Sequence, residues 1–463
     1  MNQKKIHLIA ACGTGMGTLA CMLKDAGHKV SGSDEFIYPP MSDFLKDQGI
    51  ELFNGFNSEN LSSRPDIVII GNAVTKDNVE AKFTLDNNIP YLSMPQALNN
   101  FFARDKKVIL VTGTHGKTTT ASIMAHVLYT AGYDPSFMIG GILNNFNSSF
   151  HIGKGDYFVI EGDEYDTAFF DKGAKFMHFD PFITINTGIE FDHADIFSDI
   201  THIKEVFKGL LKKLKPSSLL IASCNSHNLD SILKYAPCPI EEYGSYKKTW
   251  WFNDYSVKSG KAFFNIISKD KTWIPVTTSM MGKHNAMNTT AAACASEYLN
   301  IPGDIFSNAL ATFAGIKRRQ EIRGEKRGVT VMDDFAHHPS AVKETIAGVR
   351  PFYLNGRVLV VFEPGTNTSM RDIFQDVFPD SFQGADLVCI KEPSGIAKIP
   401  ANERISAKKI VSDLNNKGIK ALYFNNTNSI IDFVTKESKP GDLILIMSNK
   451  GFDNIHLKIL NKL

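Results

Sequence analysis

Residues 106–122 read KKVILVTGTHGKTTTAS. An uninterrupted apolar run, a short loop bracketed by glycines, then Lys and three Thr is the pattern of a buried strand that hands a phosphate-binding loop to a helix N-terminus. Such a run with no polar alternation belongs to a strand covered on both faces, which means a mostly parallel sheet wrapped by helices. The longer form of this loop carries a first glycine where Val111 stands, so the cradle here is a shorter type running from Gly113 through Thr114, His115 and Gly116. Lys117 is placed to reach the β and γ phosphates of a nucleotide, and the hydroxyl of Thr118 or Thr119 to take a position on Mg²⁺.

The same strand, loop and helix rhythm recurs along the chain. KIHLIAA (5–11), a helix from about 16 to 26 and HKVSGSD (28–34) form a βαβ opening, continued by DIVIIGNAV (66–74). A polar stretch at 99–107 precedes the phosphate-loop strand, which sets a first boundary at 106. Within the second block, TWWFNDYSV and KAFFNII are rich in aromatic and β-branched residues and predict antiparallel strands added between 240 and 280, before a helix at 285–298. The pattern restarts near 325 with GVTVMDDFAHHPSAVKETIAGV, followed by RVLVVFEP, ADLVCI and DLILIMS. The expectation is an α/β protein of three domains: a Rossmann-like one over 1–106, a central ATP-binding one with added antiparallel strands over 107–324, and a second Rossmann-like one over 325–463.

A formal net charge of +1 over 463 residues gives no reason to expect nucleic acid or an acidic membrane surface as partner. The longest apolar runs are strand-length, so neither a spanning helix nor a signal peptide is expected. Cys12, Cys21, Cys224, Cys238, Cys294 and Cys389 are scattered without CxxC or ligand-like spacing. They predict reduced thiols and a cytoplasmic location.

Other stretches carry chemistry. CGTGMGTLA follows a strand and opens a helix, with Asp34 at the end of the next strand. Gly13, Thr14, Gly15 and Met16 suit a pyrophosphate, but the strict G-x-G-x-x-G fails at Thr18, so a redox dinucleotide and a ligand-free tight turn stay open. EGDEYD (161–166) and EFDHADIF (190–197) end strands and supply Glu161, Asp163, Glu164, Asp166, Glu190, Asp192, His193 and Asp195. A hard cation bridging phosphate oxygens takes carboxylates, and an imidazole can complete its shell. In MGKHNAMN, Asn285 and Asn288 could cap a helix or read an adenine edge. Arg318, Arg319 and Arg323 either pair across domains or reach the γ-phosphate on closure. His337 and His338 are adjacent, but no further Cys or His lies nearby in sequence to make a metal site.

In this order, CGTGMG, GTHGKTTT, EGDEYD, EFDHADIF, GKHNAMN, the Arg pair and DDFAHHP resemble, across essentially the whole chain, the Mur ligases of bacterial cell-wall synthesis. The resemblance implies an N-terminal domain holding a UDP-sugar, a central ATPase and a mobile C-terminal domain. It gives Gly13, Thr14, Gly15, Met16 and Asp34 to the UDP-sugar. The nucleotide falls to Gly113, Thr114, His115, Gly116, Lys117, Thr118, Thr119, Asn285, Asn288, Arg319 and Asp334. Mg²⁺ falls to Thr118, Glu161 and His193. Lys117, Glu161, His193, Arg319 and Asp334 are implied as the catalytic set, with Asp334 near the ribose. YPPMS (38–42), EFDHADIF, FEPGTNT (362–368) and MSNKGF (447–452) point, within the family, to the ligase that joins UDP-N-acetylmuramate to L-alanyl-γ-D-glutamyl-meso-diaminopimelate in peptidoglycan recycling. The alternatives are ligation of L-alanine and, in another class, a non-catalytic nucleotide switch. The implied partners are these small molecules, with ATP and Mg²⁺, in a bacterial cytoplasm and a monomer or weak homo-oligomer. Lys208 falls where some relatives carry a carbamylated lysine, though the muramate-binding branch generally lacks it. Gly365 stands where an arginine is expected in an EPRSNT-like stretch, which bears on contact with the incoming peptide.

Overall fold

The computed structural model describes residues 2–37, 41–194 and 196–463. Residues 38–40 of the YPPMS stretch and Asp195 of the second acidic cluster lie outside the described residues. The three-domain α/β architecture expected is the one observed, as three separate main sheets.

The N-terminal sheet is all parallel, in the order Glu51–Asn54, Lys29–Asp34, Lys5–Ile9, Ile67–Ile70, Tyr91–Ser93. Strand order reverses beside Lys5–Ile9, so the crevice at its carboxyl end is the switch point where ligands bind in such sheets. The helix Thr14–Asp25 starts there.

The central sheet has a parallel core in the order Ile240–Gly244, Leu219–Ser223, Pro181–Asn186, Lys107–Thr112, Tyr157–Gly162, Ser136–Leu143. Trp250–Lys258, Lys261–Ser268 and Lys271–Thr278 extend one edge as the expected antiparallel strands, and Ser148–His151 closes the other. The Lys107–Thr112 strand is buried from its second residue onward and is flanked by the two strands that lead into the acidic clusters. Register puts Val111 beside Glu161 and Thr112 beside both Gly162 and Asn186. Both clusters are therefore delivered to the two sides of the phosphate loop.

The C-terminal sheet runs Glu321–Lys326, Val329–Asp334, Leu443–Met447, Val358–Phe362, Leu387–Lys391, Ala421–Phe424, antiparallel only at its first pair. This corrects the boundary expected at 325: the hairpin Glu321–Lys326/Val329–Asp334 belongs wholly to the third sheet. Its turn, Arg327 and Gly328, has positive φ at both residues (52° and 73°), the signature of a tight hairpin. The first strand is charged and mostly exposed, as edge strands are, so it carries no apolar pattern to read.

One apolar cluster runs from Ile6, Leu8 and Leu19 of the N-terminal domain into Phe158, Phe176 and Phe207 of the central one. An apolar seam shared by two domains resists their relative motion. The C-terminal core is built separately, and among the described residues only Met281 joins it from the central domain. Contacts between central and C-terminal domains are instead largely polar, the usual condition of domains that move against each other.

Candidate active site

The phosphate loop folds as its glycines require. Gly113 has φ 119°, and a Cβ there would lie 2.4 Å from Thr187 Oγ1. Gly116, at φ 83°, ends the loop at the start of the helix Lys117–Thr130, and a Cβ would lie 2.7 Å from Asn288 Oδ1. Lys117 Nζ donates to Gly113 O at 2.6 Å and sits 3.4 Å from Glu164 Oε2. Burial works against its ammonium, yet Glu164, Asp163 and Glu161 together hold its pKa above the ordinary lysine value. The amine is thus charged and held over the loop by carboxylates that a triphosphate can replace.

Thr118 Oγ1 donates to Glu161 Oε2 at 3.0 Å, while Glu161 Oε1 accepts from Gly140 N at 2.6 Å. Burial, then Asp163, raises the Glu161 pKa. His193, held at φ 55°, places Nε2 3.7 Å from Glu164 Oε1, with the Tyr165 ring 5.2 Å away. Glu164, 4% exposed, therefore stands between Lys117 and His193 and is a site residue that the sequence reading left within a cluster without a role. Thr118 and Glu161 meet directly, whereas His193 contacts Glu164 and the Tyr165 ring.

Asn285 and Asn288 lie inside the helix Lys283–Tyr298, whose N-cap is Gly282 without a side-chain bond, so neither is the cap. Asn285 Nδ2 donates to Met281 O at 2.9 Å and to Gln320 Oε1 at 3.1 Å, and Asn288 Nδ2 donates to Asn285 Oδ1 at 3.2 Å. The pair links the phosphate loop to the hinge before the third domain. There the two arginines part. Arg319 stacks on Phe335, ring centroid 4.9 Å away, and approaches Thr118 Oγ1 at 3.4 Å. Arg318 also faces the Phe335 ring, at 5.2 Å, but it donates to the carbonyls of Ser448 at 2.6 Å and Lys450 at 2.7 Å, and Arg323 pairs with Glu321. Asp334 accepts from Gln320 N at 2.8 Å, Ala336 N at 2.9 Å and Thr345 Oγ1 at 3.2 Å. Its carboxylate, raised in pKa by burial, staples the hinge to the loop of DDFAHHP.

In the N-terminal loop, Gly13 and Thr14 are exposed and Gly15 partly so, at the helix start whose first-turn N–H groups have no intrahelical partner. The side chain of Met16 is buried in the core, which leaves only its backbone for a ligand. Asp34 Oδ2 accepts from Cys12 N at 2.8 Å and so clamps the loop itself. Lys208 Nζ lies 3.0 Å from both oxygens of Glu205 and over Tyr235. Its Glu205 bond raises the Lys208 pKa, which disfavours the neutral amine that carbamylation needs. A Cβ at Gly365 would lie 2.1 Å from Asn449 Oδ1, so the place of the expected arginine is taken by the side chain of Asn449, on the loop that Arg318 holds.

The donor set fits a hard divalent cation: Asp163 is paired with Lys175 at 3.2 Å, which leaves the Thr118 hydroxyl and the Glu161 and Glu164 carboxylates as oxygen donors beside the ammonium of Lys117. Among the described residues no helix is long and apolar enough to cross a membrane.

Three consecutive family matches account for this geometry: Mur ligase family, catalytic domain, over residues 5–106; Mur ligase middle domain over 111–296; and Mur ligase, glutamate ligase domain, over 318–450. The chain is 39% identical over 460 residues to the UDP-N-acetylmuramate–L-alanyl-γ-D-glutamyl-meso-2,6-diaminoheptandioate ligase of Escherichia coli K12, covering 99% of this chain and 98% of that one. It is 37% identical to the ligase of the same name from Haemophilus influenzae, covering 99% of both. The crystal structure of a murein peptide ligase from Psychrobacter arcticus superposes with a TM-score of 0.71 at 32% identity, covering 99% of this chain and 98% of that one. A phosphate loop between two acidic strand ends, two flanking Rossmann-like sheets and this full-length likeness make the chain a member of the Mur ligase family of ATP-dependent, amide-bond-forming ligases.

Proposed function

We propose that this ligase joins the lactyl carboxylate of UDP-N-acetylmuramate to the α-amine of L-alanyl-γ-D-glutamyl-meso-diaminopimelate, in the bacterial cytoplasm, as part of peptidoglycan recycling. The observation that carries the reading is the near-full-length identity to the two relatives whose names state that substrate pair. A UDP-N-acetylmuramate–L-alanine ligase from Clostridium tetani, 34% identical over 96% of this chain, favours L-alanine as the second candidate acceptor.

A carboxylate is a poor acyl donor. One of its oxygens takes the γ-phosphoryl of ATP, the bond from that phosphorus to ADP breaks, and an acyl phosphate forms. The peptide amine then attacks the carbonyl carbon, loses a proton, and the C–O bond to phosphate breaks to leave the amide. Lys117 offsets phosphate charge from its place over Gly113, and Arg319 reaches the same region from the hinge. Thr118, Glu161 and His193 are the groups that would hold Mg²⁺, which supplies further charge neutralisation when bound. The C-terminal domain, seated over the loop, keeps water from the acyl phosphate.

Phosphate release from ATP with UDP-N-acetylmuramate tests the reading, comparing the tripeptide with L-alanine as acceptor. Turnover with the tripeptide and little with alanine is expected. Turnover with alanine alone would move the chain to the first amino-acid addition.

A further inference from the structure

The loop that follows the strand Pro181–Asn186 touches the phosphate loop on one side and the C-terminal domain on the other. Toward the phosphate loop, Thr114 N donates to Gly188 O at 2.9 Å, Thr187 Oγ1 donates to His115 O at 2.5 Å, and Glu190 N donates to Thr114 Oγ1 at 2.8 Å. His115 Nε2 adds a contact to Glu190 Oε2 at 3.5 Å, an ion-pair distance. Toward the C-terminal domain, Ser340 Oγ donates to Glu190 Oε2 at 2.7 Å, His338 Nε2 donates to Phe191 O at 3.2 Å, and Ala194 N donates to Thr368 Oγ1 at 3.0 Å. His193 lies inside the bracketed segment. Glu190 has one carboxylate oxygen shared between a residue of the phosphate loop and one of the third domain.

The same cluster invites a metal reading, since His115, Glu190 and His338 offer ligand atoms within 4.8 Å of one another. Ser340 argues against it. Its hydroxyl donates to Glu190 Oε2, and its backbone N–H is directed at His338 Nδ1 at 3.3 Å while His338 Nε2 donates to Phe191 O, so both ring nitrogens of His338 are already engaged within this chain.

We propose that Glu190 is a positioning residue that transmits the seating of the C-terminal domain to the ATP cradle: when Ser340 engages Glu190, Thr114 and His115 are fixed and the His193 segment is held in place. Bound substrate then meets a finished phosphate site only under a seated third domain, which couples closure to phosphoryl transfer. The inference rests on the reading of residues 113–119 as the ATP cradle.

A double-mutant cycle between Ser340→Ala and Thr114→Val tests it, because these two side chains are bridged only through Glu190 in the contacts above. Each single variant is expected to lower kcat/KM for ATP about threefold to tenfold, the range for one lost hydrogen bond, to the half-exposed Glu190 carboxylate for Ser340 and to the Glu190 backbone for Thr114. The double variant should lose clearly less than the product, Ser340→Ala should have no further effect in a Glu190→Ala background, and Ser340→Thr should restore activity. Multiplicative losses, or an undiminished Ser340→Ala effect without Glu190, would overturn the relay. If the wild type turns over with neither acceptor, the substrate reading fails by itself; the cycle is then read in ADP affinity by calorimetry, where coupling supports the relay and additivity overturns it.

Discussion

Glu164 places one carboxylate oxygen 3.4 Å from Lys117 Nζ and the other 3.7 Å from His193 Nε2. A single buried carboxylate thus contacts both the phosphate-loop lysine and the imidazole implied in metal binding. Lys117 is therefore oriented by its contacts with Glu164 and Gly113 O, the preorganisation that the proposed phosphoryl transfer would draw on.

Removing the lysine removes the main fixed charge. Lys117→Ala is expected to cost roughly 3–4 kcal/mol of transition-state stabilisation, about 10² to 10³ in kcat, by analogy with deletion of a preorganised donor. Phosphate release under saturating ATP measures this. A loss below tenfold, with ATP binding unchanged, counts against the role.

His193→Ala is expected to raise the Mg²⁺ concentration needed for half-maximal rate while leaving the fold intact, since the side chain is partly exposed and its only ion-pair neighbour among the described residues is Glu164. The check is a Mg²⁺ titration of the rate at fixed ATP. Curves that overlay the wild type would remove His193 from the ligand set.

Gly116→Ala combines two penalties. Left-handed backbone costs a non-glycine residue about 1–2 kcal/mol, and the added Cβ would sit 2.7 Å from Asn288 Oδ1. Asn288 must then give way, which disturbs its bond to Asn285. The expected outcome is a lowered melting temperature together with at least tenfold weaker nucleotide binding, measured by thermal denaturation and calorimetry on one preparation. Unchanged binding would show that the loop tolerates another course.

These expectations separate what the sequence makes legible from what it does not. The cradle at 106–122 reads directly because strand, loop and helix are consecutive, and each residue's task follows from local backbone geometry. The bond between Ser340 and Glu190 joins residues 150 apart in sequence, and that between Lys117 and Glu164 residues 47 apart, so both depend on sheet register and domain placement that no local pattern encodes. His338 looked isolated for the same reason: its neighbours His115 and Glu190 come from another domain. The strand Glu321–Lys326 escaped because a charged edge strand has no apolar period. Met16 shows the opposite failure, a residue inside a ligand-like motif whose side chain serves the core.

His338 makes the domain contact sensitive to acid. Burial first, with His115 adding to it, lowers its pKa to about 4, and its Nδ1 caps the helix Pro339–Val349 while Nε2 donates to Phe191 O. A histidine held neutral in the fold binds a proton more readily when unfolded. Its contribution is therefore fully present above the unfolded value of about 6.5 and is lost as pH falls from there toward 4, by on the order of 3 kcal/mol at most. Glu190, at about 2, stays charged across that window. Melting temperatures at pH 7 and pH 5 should differ markedly in the wild type and less in His338→Asn, which keeps a capping side chain without the titration. Equal pH dependence in both proteins would place the acid sensitivity elsewhere.

Gly348 and Gly282 set how close the central and C-terminal domains come. A Cβ on Gly348 would lie 3.0 Å from Gly282 Cα, 3.1 Å from His284 Cε1 and 3.3 Å from Met281 O, all on the central domain. Gly348 also lies within the helix Pro339–Val349, where alanine is favoured over glycine by roughly 0.5–1 kcal/mol. Gly348→Ala thus has opposite effects on the domain and on its seating: the helix gains, while overpacking of about 1–3 kcal/mol opposes the contact. The expected variant shows a larger radius of gyration in solution scattering and turns over roughly tenfold more slowly. Slower turnover with unchanged scattering would mean that the methyl acts through His284 and the nucleotide-side helix rather than through domain approach.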